Sequence, residues 1–174
     1  MTPVIKEPAA SQGAAMARNP TYRTIDSPVG PVTLVGSGCT LVRLVLAGQR
    51  AEPDSWGCCG SDANAFPDAV AQLDAYFDGR LRRFDIDVRL DGTDFQRRVW
   101  AAAQAIPYGQ TRSYSQIAAQ IGAPGASRAV GVALGRNPVP IIVACHRVIG
   151  SSGALTGYAG GIECKKALIA HEAR

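Results

Sequence analysis

Asp91-Gly92-Thr93 divides this chain into two stretches whose apolar residues follow different periods, so the chain is expected to fold as two units of different class. Before the boundary, Tyr22 to Ile25, Val32 to Val35 and Leu41 to Leu46 alternate in polarity around the turn Ser27-Pro28-Val29-Gly30-Pro31 and the glycines Gly36 and Gly38. That is the pattern of a small antiparallel meander. Residues 49–63 read as a loop. Phe66, Val70, Leu73 and Phe77 then recur at helical spacing, with Pro67 in the first turn and Gly79 past the end, and Phe84 to Leu90 alternates as a further strand. Beyond the boundary Thr93 can cap a helix carrying Phe95, Val99, Trp100 and Ala103 on one face, which stops near Ile106-Pro107-Tyr108-Gly109. Two short helical stretches, Ser113 to Gly122 and Ala126 to Gly135, joined by Ala123-Pro124-Gly125, make a helix-turn-helix pattern. The fold class is therefore α+β: a flexible tail over residues 1–20, a small N-terminal α/β domain over 21–90, and a mostly helical C-terminal domain over 91–174.

An apolar fraction of 47% in 174 residues is enough to fill a core and excludes disorder throughout. The tail lacks the apolar core of a signal peptide, and no run approaches the ~18 apolar residues of a membrane span, so a cytoplasmic protein with no membrane partner is expected. Five cysteines (Cys39, Cys58, Cys59, Cys145 and Cys164) form an odd set that favours free thiols over a disulfide framework. No Cys-x-x-Cys spacing occurs and the only histidines are His146 and His171, which argues against a metal site. Charge is unevenly placed: residues 1–90 hold nine Lys/Arg against ten Asp/Glu, whereas residues 91–174 hold nine against four. A basic C-terminal half suits a polyanionic partner.

The same half contains Asn137-Pro138-Val139-Pro140-Ile141-Ile142-Val143-Ala144-Cys145-His146-Arg147-Val148. The apolar, β-branched run from Val139 to Val143 reads as a buried strand that ends directly at Cys-His-Arg. An ordinary thiol ionises near pH 8.5, so a nucleophilic cysteine needs a neighbouring base or cation, and His146 and Arg147 are both candidates. Successive strand side chains face opposite ways, so Cys145 and His146 are expected to communicate through a water. The competing reading is a structural core cysteine. In the second helix of the pair, Ala126, Ser127, Ala129, Gly131 and Ala133 keep the surface low, while Arg128 projects from it. Glycines at 131 and 135 cost helix stability by up to ~1 kcal/mol each, which close packing against another helix or entry into a nucleic-acid groove would offset.

Taken in order, Phe95-Gln96-Arg97-Arg98-Val99-Trp100, Ile106-Pro107-Tyr108-Gly109, Ser113-Tyr114, Ser127-Arg128-Ala129-Val130-Gly131, Asn137-Pro138, Cys145-His146-Arg147-Val148, Gly157-Tyr158-Ala159-Gly160-Gly161 and Glu172 resemble the O6-alkylguanine-DNA alkyltransferase family. The resemblance spans about residues 21–174. It implies an RNase H-like N-terminal domain and a winged-helix-like C-terminal domain. It also implies direct DNA repair by irreversible transfer of an alkyl group from O6-alkylguanine, and from O4-alkylthymine, onto Cys145. The protein would act once per molecule, as a monomer on the minor groove of double-stranded DNA, and would need no cofactor. By the same resemblance Glu172 orients His146, and His146 acts through water on Cys145. Asn137 is the hinge, Arg128 fills the space left by the extruded nucleotide, and Tyr114 presses the phosphate and donates a proton toward the base. Ser113, Ala126, Ser127, Ala129 and Gly131 would complete the DNA contact. Tyr114, Pro140, Val148, Tyr158 and Ala159 would surround the base. Ala144 stands where the family usually has proline, which implies a looser loop. The weighed alternatives are a lesion-binding protein without transfer, a Cys-His-Glu hydrolase and a helix-turn-helix transcription factor.

Overall fold

The computed structural model describes residues 20–49 and 59–174. These divide between Leu90 and Asp91 into two compact units. The expected tail apart from Pro20, and most of the 49–63 loop including Cys58, lie outside the described residues.

In the N-terminal unit, β1 (Thr21–Ile25), β2 (Val32–Ser37) and β3 (Thr40–Leu46) form the antiparallel meander, and β4 (Gly60–Ser61) adds to β1 in parallel, giving the order β3-β2-β1-β4. Val32, Leu34, Leu41 and Leu44 are buried almost completely, Leu41 and Leu44 sharing a face because the β2–β3 register shifts between Val35 and Gly36. Helix α1 (Pro67–Phe77) starts after Phe66, with Pro67 in its first turn. It buries Ala69, Leu73 and Tyr76, whereas Val70 and Phe77 are only half-buried. The inward stripe is thus turned by one residue from the expected one, because Tyr76 packs its ring 5.2 Å from that of Phe84. The stretch Phe84 to Leu90 is not a strand. It makes one bridge, Leu41 to Val88, and is pinned to α1 by Gln72, which both donates to the Asp85 carbonyl and accepts from its N–H.

In the C-terminal unit, α2 (Asp94–Gln104) and α3 (Tyr114–Gln120) both begin with a reciprocal capping box, Thr93 with Gln96 and Ser113 with Gln116. Helix α4 (Ser127–Gly135) completes the helix-turn-helix with α3. Trp100 is buried against it and donates its indole N–H to the Ala133 carbonyl at 2.8 Å. A two-residue parallel pair, β5 (Arg112–Ser113) with β6 (Val148–Ile149), joins the start of α3 to the segment after Cys145. The last helix, α5 (Ile162–Glu172), returns the chain to that segment. No helix among the described residues is long and apolar enough to cross a membrane.

Val139 to Val143 is buried as expected but is not a strand. Pro138 and Pro140 have no N–H to give to a ladder, and Ile141 adopts φ +75°. The run closes on itself instead: Val143 donates its N–H to the Val139 carbonyl at 3.0 Å. Asn137 staples the loop, accepting from the Val139 N–H and donating to the Val143 carbonyl, each at 3.0 Å. A left-handed isoleucine costs about 1 kcal/mol or more, and its fully buried side chain holds it there.

Candidate active site

Cys145, His146 and Arg147 form a single turn of 3-10 helix rather than the end of a strand. The turn sends the Cys145 thiol to Asn137 and the cleft wall, and the His146 and Arg147 side chains together to Glu172. Ala144 precedes them at φ −75°, within the range a proline ring would impose, so the native loop does not differ here from the shape proline would give it.

The Cys145 thiol is buried but reaches the wall of a cleft of about 590 Å³. Asn137 Nδ2 lies 3.1 Å from its sulfur, so the residue that staples the loop also positions the thiol. Burial pushes the Cys145 pKa up to about 11, although the Asn137 amide and the nearby Lys165 charge pull it down. At rest the group is a thiol. His146 is fully buried, and its Nε2 lies 2.8 Å from Glu172 Oε1. Burial lowers the His146 pKa, against the pull of Glu172, so the imidazole rests neutral. Its Nδ1 has no hydrogen-bond partner among the described residues. A neutral base with an unoccupied acceptor beside a protonated nucleophile can take the thiol proton when substrate arrives.

Arg147 points away from the thiol, which removes it as the activating cation considered from sequence. Its Nε and one terminal nitrogen hold the two oxygens of Glu172 at 2.8 Å each, and its other terminal nitrogen donates to the Ile106 carbonyl at 2.6 Å. The Gly109 N–H adds a fourth donor to the carboxylate, at 3.2 Å. Gly109 has φ +74° and a Cβ there would meet the Glu172 carbonyl at 2.8 Å, so the Ile106-Pro107-Tyr108-Gly109 turn requires glycine where it touches the end of α5.

Both resting protonation states have consequences for stability. His146 binds its proton less readily folded than unfolded, so its contribution is present above the ordinary value of 6.5 and is lost as pH falls below it. Cys145 holds its proton more tightly folded, so its contribution is present below the ordinary thiol value and is lost as pH rises from there toward about 11. Unfolding midpoints measured against pH should therefore decline on both sides of this window, and Cys145→Ala should lack the Cys145 part of the alkaline decline.

The cleft is lined by Tyr114, Ser127, Arg128, Gly131, Tyr158 and Ala159 among the expected residues, together with Val132, Leu134, Gly135, Thr156 and Gly157. Arg128 is exposed on α4, and Val132 is 54% exposed beside it. Pro140 and Val148 do not line the cleft. Both are buried, Pro140 in a bridge to Val143 and Val148 paired with Arg112. Ser113 caps α3 and contacts Ser115. Ala126 is the residue before α4, and Ala129 is exposed on that helix but off the cleft wall.

Sequence reasoning missed Lys165 and Thr156. Lys165 is fully buried, donates to the Val148 carbonyl at 2.6 Å and the Thr156 carbonyl at 3.2 Å, and stands 5.8 Å from the centre of the Tyr114 ring. The Tyr114 hydroxyl donates to the same Thr156 carbonyl at 3.1 Å. A signal existed: Lys165, Leu168 and Glu172 recur at three and four residues and are the buried face of α5. Among the described residues no group of His, Cys, Asp and Glu is placed to hold a metal.

The model of the 6-O-methylguanine DNA methyltransferase DNA-binding domain matches residues 94–174, and that of the ribonuclease-like domain of the same proteins matches residues 21–90. A methylated-DNA–protein-cysteine methyltransferase of Mycobacterium tuberculosis is 59% identical over 150 residues, covering 85% of this chain and 89% of the relative. The chain belongs to the 6-O-methylguanine DNA methyltransferase family. A member from Methanosarcina acetivorans is 48% identical over 151 residues, 85% of this chain and 95% of its own. Among solved structures of this methyltransferase family, Mycobacterium tuberculosis OGT in complex with DNA is 57% identical with a TM-score of 0.83, covering 88% of this chain and 92% of that one.

Proposed function

We propose that this protein repairs DNA by moving the methyl group of O6-methylguanine onto Cys145. As a member of the methyltransferase family it is a DNA-binding, DNA-repair methyltransferase, and the residues above divide the work. One observation carries the assignment to Cys145: its sulfur is on the cleft wall, while Asn137 lies at hydrogen-bond distance from it and the buried His146–Glu172 pair begins at the next residue. In the reaction the thiol proton passes through water to His146 Nδ1 as sulfur attacks the methyl carbon. The carbon–O6 bond breaks, its electron pair leaves with the guanine, and the guanine takes a proton from the Tyr114 hydroxyl on the cleft wall, which is restored as His146 releases the proton that it gained. The product is S-methylcysteine, which has no internal route back to thiol, so each molecule acts once. The lesion brings the alkyl group, and no cofactor enters.

A stacked base cannot reach a buried sulfur, so the damaged nucleotide must leave the duplex, at a cost of a few kcal/mol. Helix α4 presents small residues to the minor groove, Arg128 occupies the vacated space, and Tyr114, Tyr158 and the Ala159 backbone surround the base. A monomer on duplex DNA, with O4-alkylthymine as a second lesion, completes the proposal. Mixing the reduced protein with duplex DNA carrying labelled O6-methylguanine tests it. Label should pass to the protein, and a second portion of DNA added to spent protein should lose none. Retention of all label on DNA that the protein nonetheless binds would mean damage sensing without repair. Arg128→Ala should slow transfer from duplex by about tenfold or more, since ~1.4 kcal/mol of lost extrusion free energy is a factor of ten, and leave the reaction with the free alkylated base unchanged. Equal slowing on both substrates would remove Arg128 from that role.

A further inference from the structure

We propose that Arg147 is a positioning residue of the relay: its fork on both oxygens of Glu172 keeps the carboxylate anionic and fixed, and so holds His146 as the neutral imidazole with hydrogen on Nε2 and Nδ1 open as acceptor. The inference rests on the relay reading above.

Four donors converge on one buried carboxylate: Arg147 Nε and the Gly109 N–H on Oε2, and an Arg147 terminal nitrogen and His146 Nε2 on Oε1. A guanidinium cannot surrender its proton, and its planar fork matches both oxygens at once. Glu172 therefore has no hydrogen to offer His146, and Nε2 must be the donor. That leaves Nδ1 as the only ring atom that can receive a proton. Arg147 is itself held in orientation by the Ile106 carbonyl at 2.6 Å and lies 5.8 Å from the Tyr108 ring centre.

Charge leads to the same assignment. The charged and titratable groups around His146 are Glu172 and Lys165 from α5, Cys145 and Arg147 on either side of it, and Tyr158, whose ring centre is 6.5 Å away. Glu172 alone would favour imidazolium. Burial opposes it most, and Arg147 and Lys165 oppose it further, Arg147 while bonded to the same carboxylate. An imidazolium at rest has no site left for the thiol proton, so the reaction requires this balance.

Two measurements test the proposal. Nitrogen chemical shifts of the His146 ring in unreacted protein at neutral pH should show hydrogen on Nε2 alone. Hydrogen on Nδ1, or on both nitrogens, would overturn the proposal, and this reading needs neither DNA nor a variant. In the pH profile of methyl transfer, the acid limb that marks protonation of His146 should lie below the ordinary histidine value. Arg147→Met, which removes the charge, should raise that limb by about one pH unit, the size of shift a neighbouring charge produces. Arg147→Lys keeps the charge without the fork, so the limb should remain low while the rate falls. A limb at the same pH in wild type and a folded Arg147→Met would overturn the proposal. So would a raised limb in Arg147→Lys, which decides the matter if Arg147→Met does not fold. Failure of the wild-type protein to take methyl from DNA would instead defeat the proposed function, and the ring tautomer would still be readable.

Discussion

Cys145→Ser should take up no measurable methyl from O6-methylguanine duplex while binding that duplex as tightly as the wild type. The hydroxyl is near in size to the thiol, so the Asn137 staple and the cleft wall survive the change. What disappears is the nucleophile: an alcohol ionises several pH units above a thiol and is a far harder centre for attack on carbon. The side chain at hydrogen-bond distance from the sulfur, Asn137, lies outside α3 and α4, the helices proposed to meet DNA. Titration of labelled duplex followed by separation of protein and DNA measures both quantities. Transfer retained by Cys145→Ser would place the acceptor elsewhere, and lost binding would mean that the thiol holds the cleft together.

Glu172→Gln should be the most destructive isosteric change in the C-terminal unit, destabilising it by roughly 3–5 kcal/mol and slowing transfer on whatever protein remains folded. Glu172 is 4% exposed and its carboxylate pairs with the buried Arg147 guanidinium at 2.8 Å. An amide neutralises nothing, and its NH₂ group would face the donors of Arg147 or His146. The loss exceeds that of an ordinary hydrogen bond because a charge remains buried without its counter-charge. Chemical denaturation of wild type and variant, monitored through Trp100, measures the difference. A loss below about 1 kcal/mol, the size typical of an exposed pair, would show that the ion pair is solvated and that the relay is not sealed as described.

Much of this arrangement could be read from local pattern. Thr93 with Gln96 and Ser113 with Gln116 mark two helix starts at the spacing of a capping box, and both boxes form. The meander followed from alternation, and the helix-turn-helix from glycine and proline placement. What local pattern could not supply was anything depending on which groups the folded chain brings together. Val139 to Val143 has strand composition, yet two prolines and the Asn137 side chain turn it into a closed loop. Arg147 adjoins the nucleophile in sequence but faces Glu172, twenty-five positions away, because a 3-10 turn separates it from the thiol. Lys165 stands two residues after Glu163 and directly before another lysine, so it resembles a solvated surface charge; only the phase of α5 relative to Leu168 and Glu172 shows that it is buried. Pro140 and Val148 were placed at the base pocket by resemblance, but Pro140 is buried in the closed loop and Val148 in the pair with Arg112, and neither is on the cleft wall.

The most direct test of the account follows one labelled methyl group to its destination. Reduced protein is incubated with excess duplex carrying isotopically labelled O6-methylguanine, digested, and its peptides are sequenced by mass. The account predicts one label per chain, on the peptide containing Cys145 and on its sulfur, with Cys39, Cys58, Cys59 and Cys164 unmodified. Label on another residue, or DNA demethylated with no label on the protein, would contradict it.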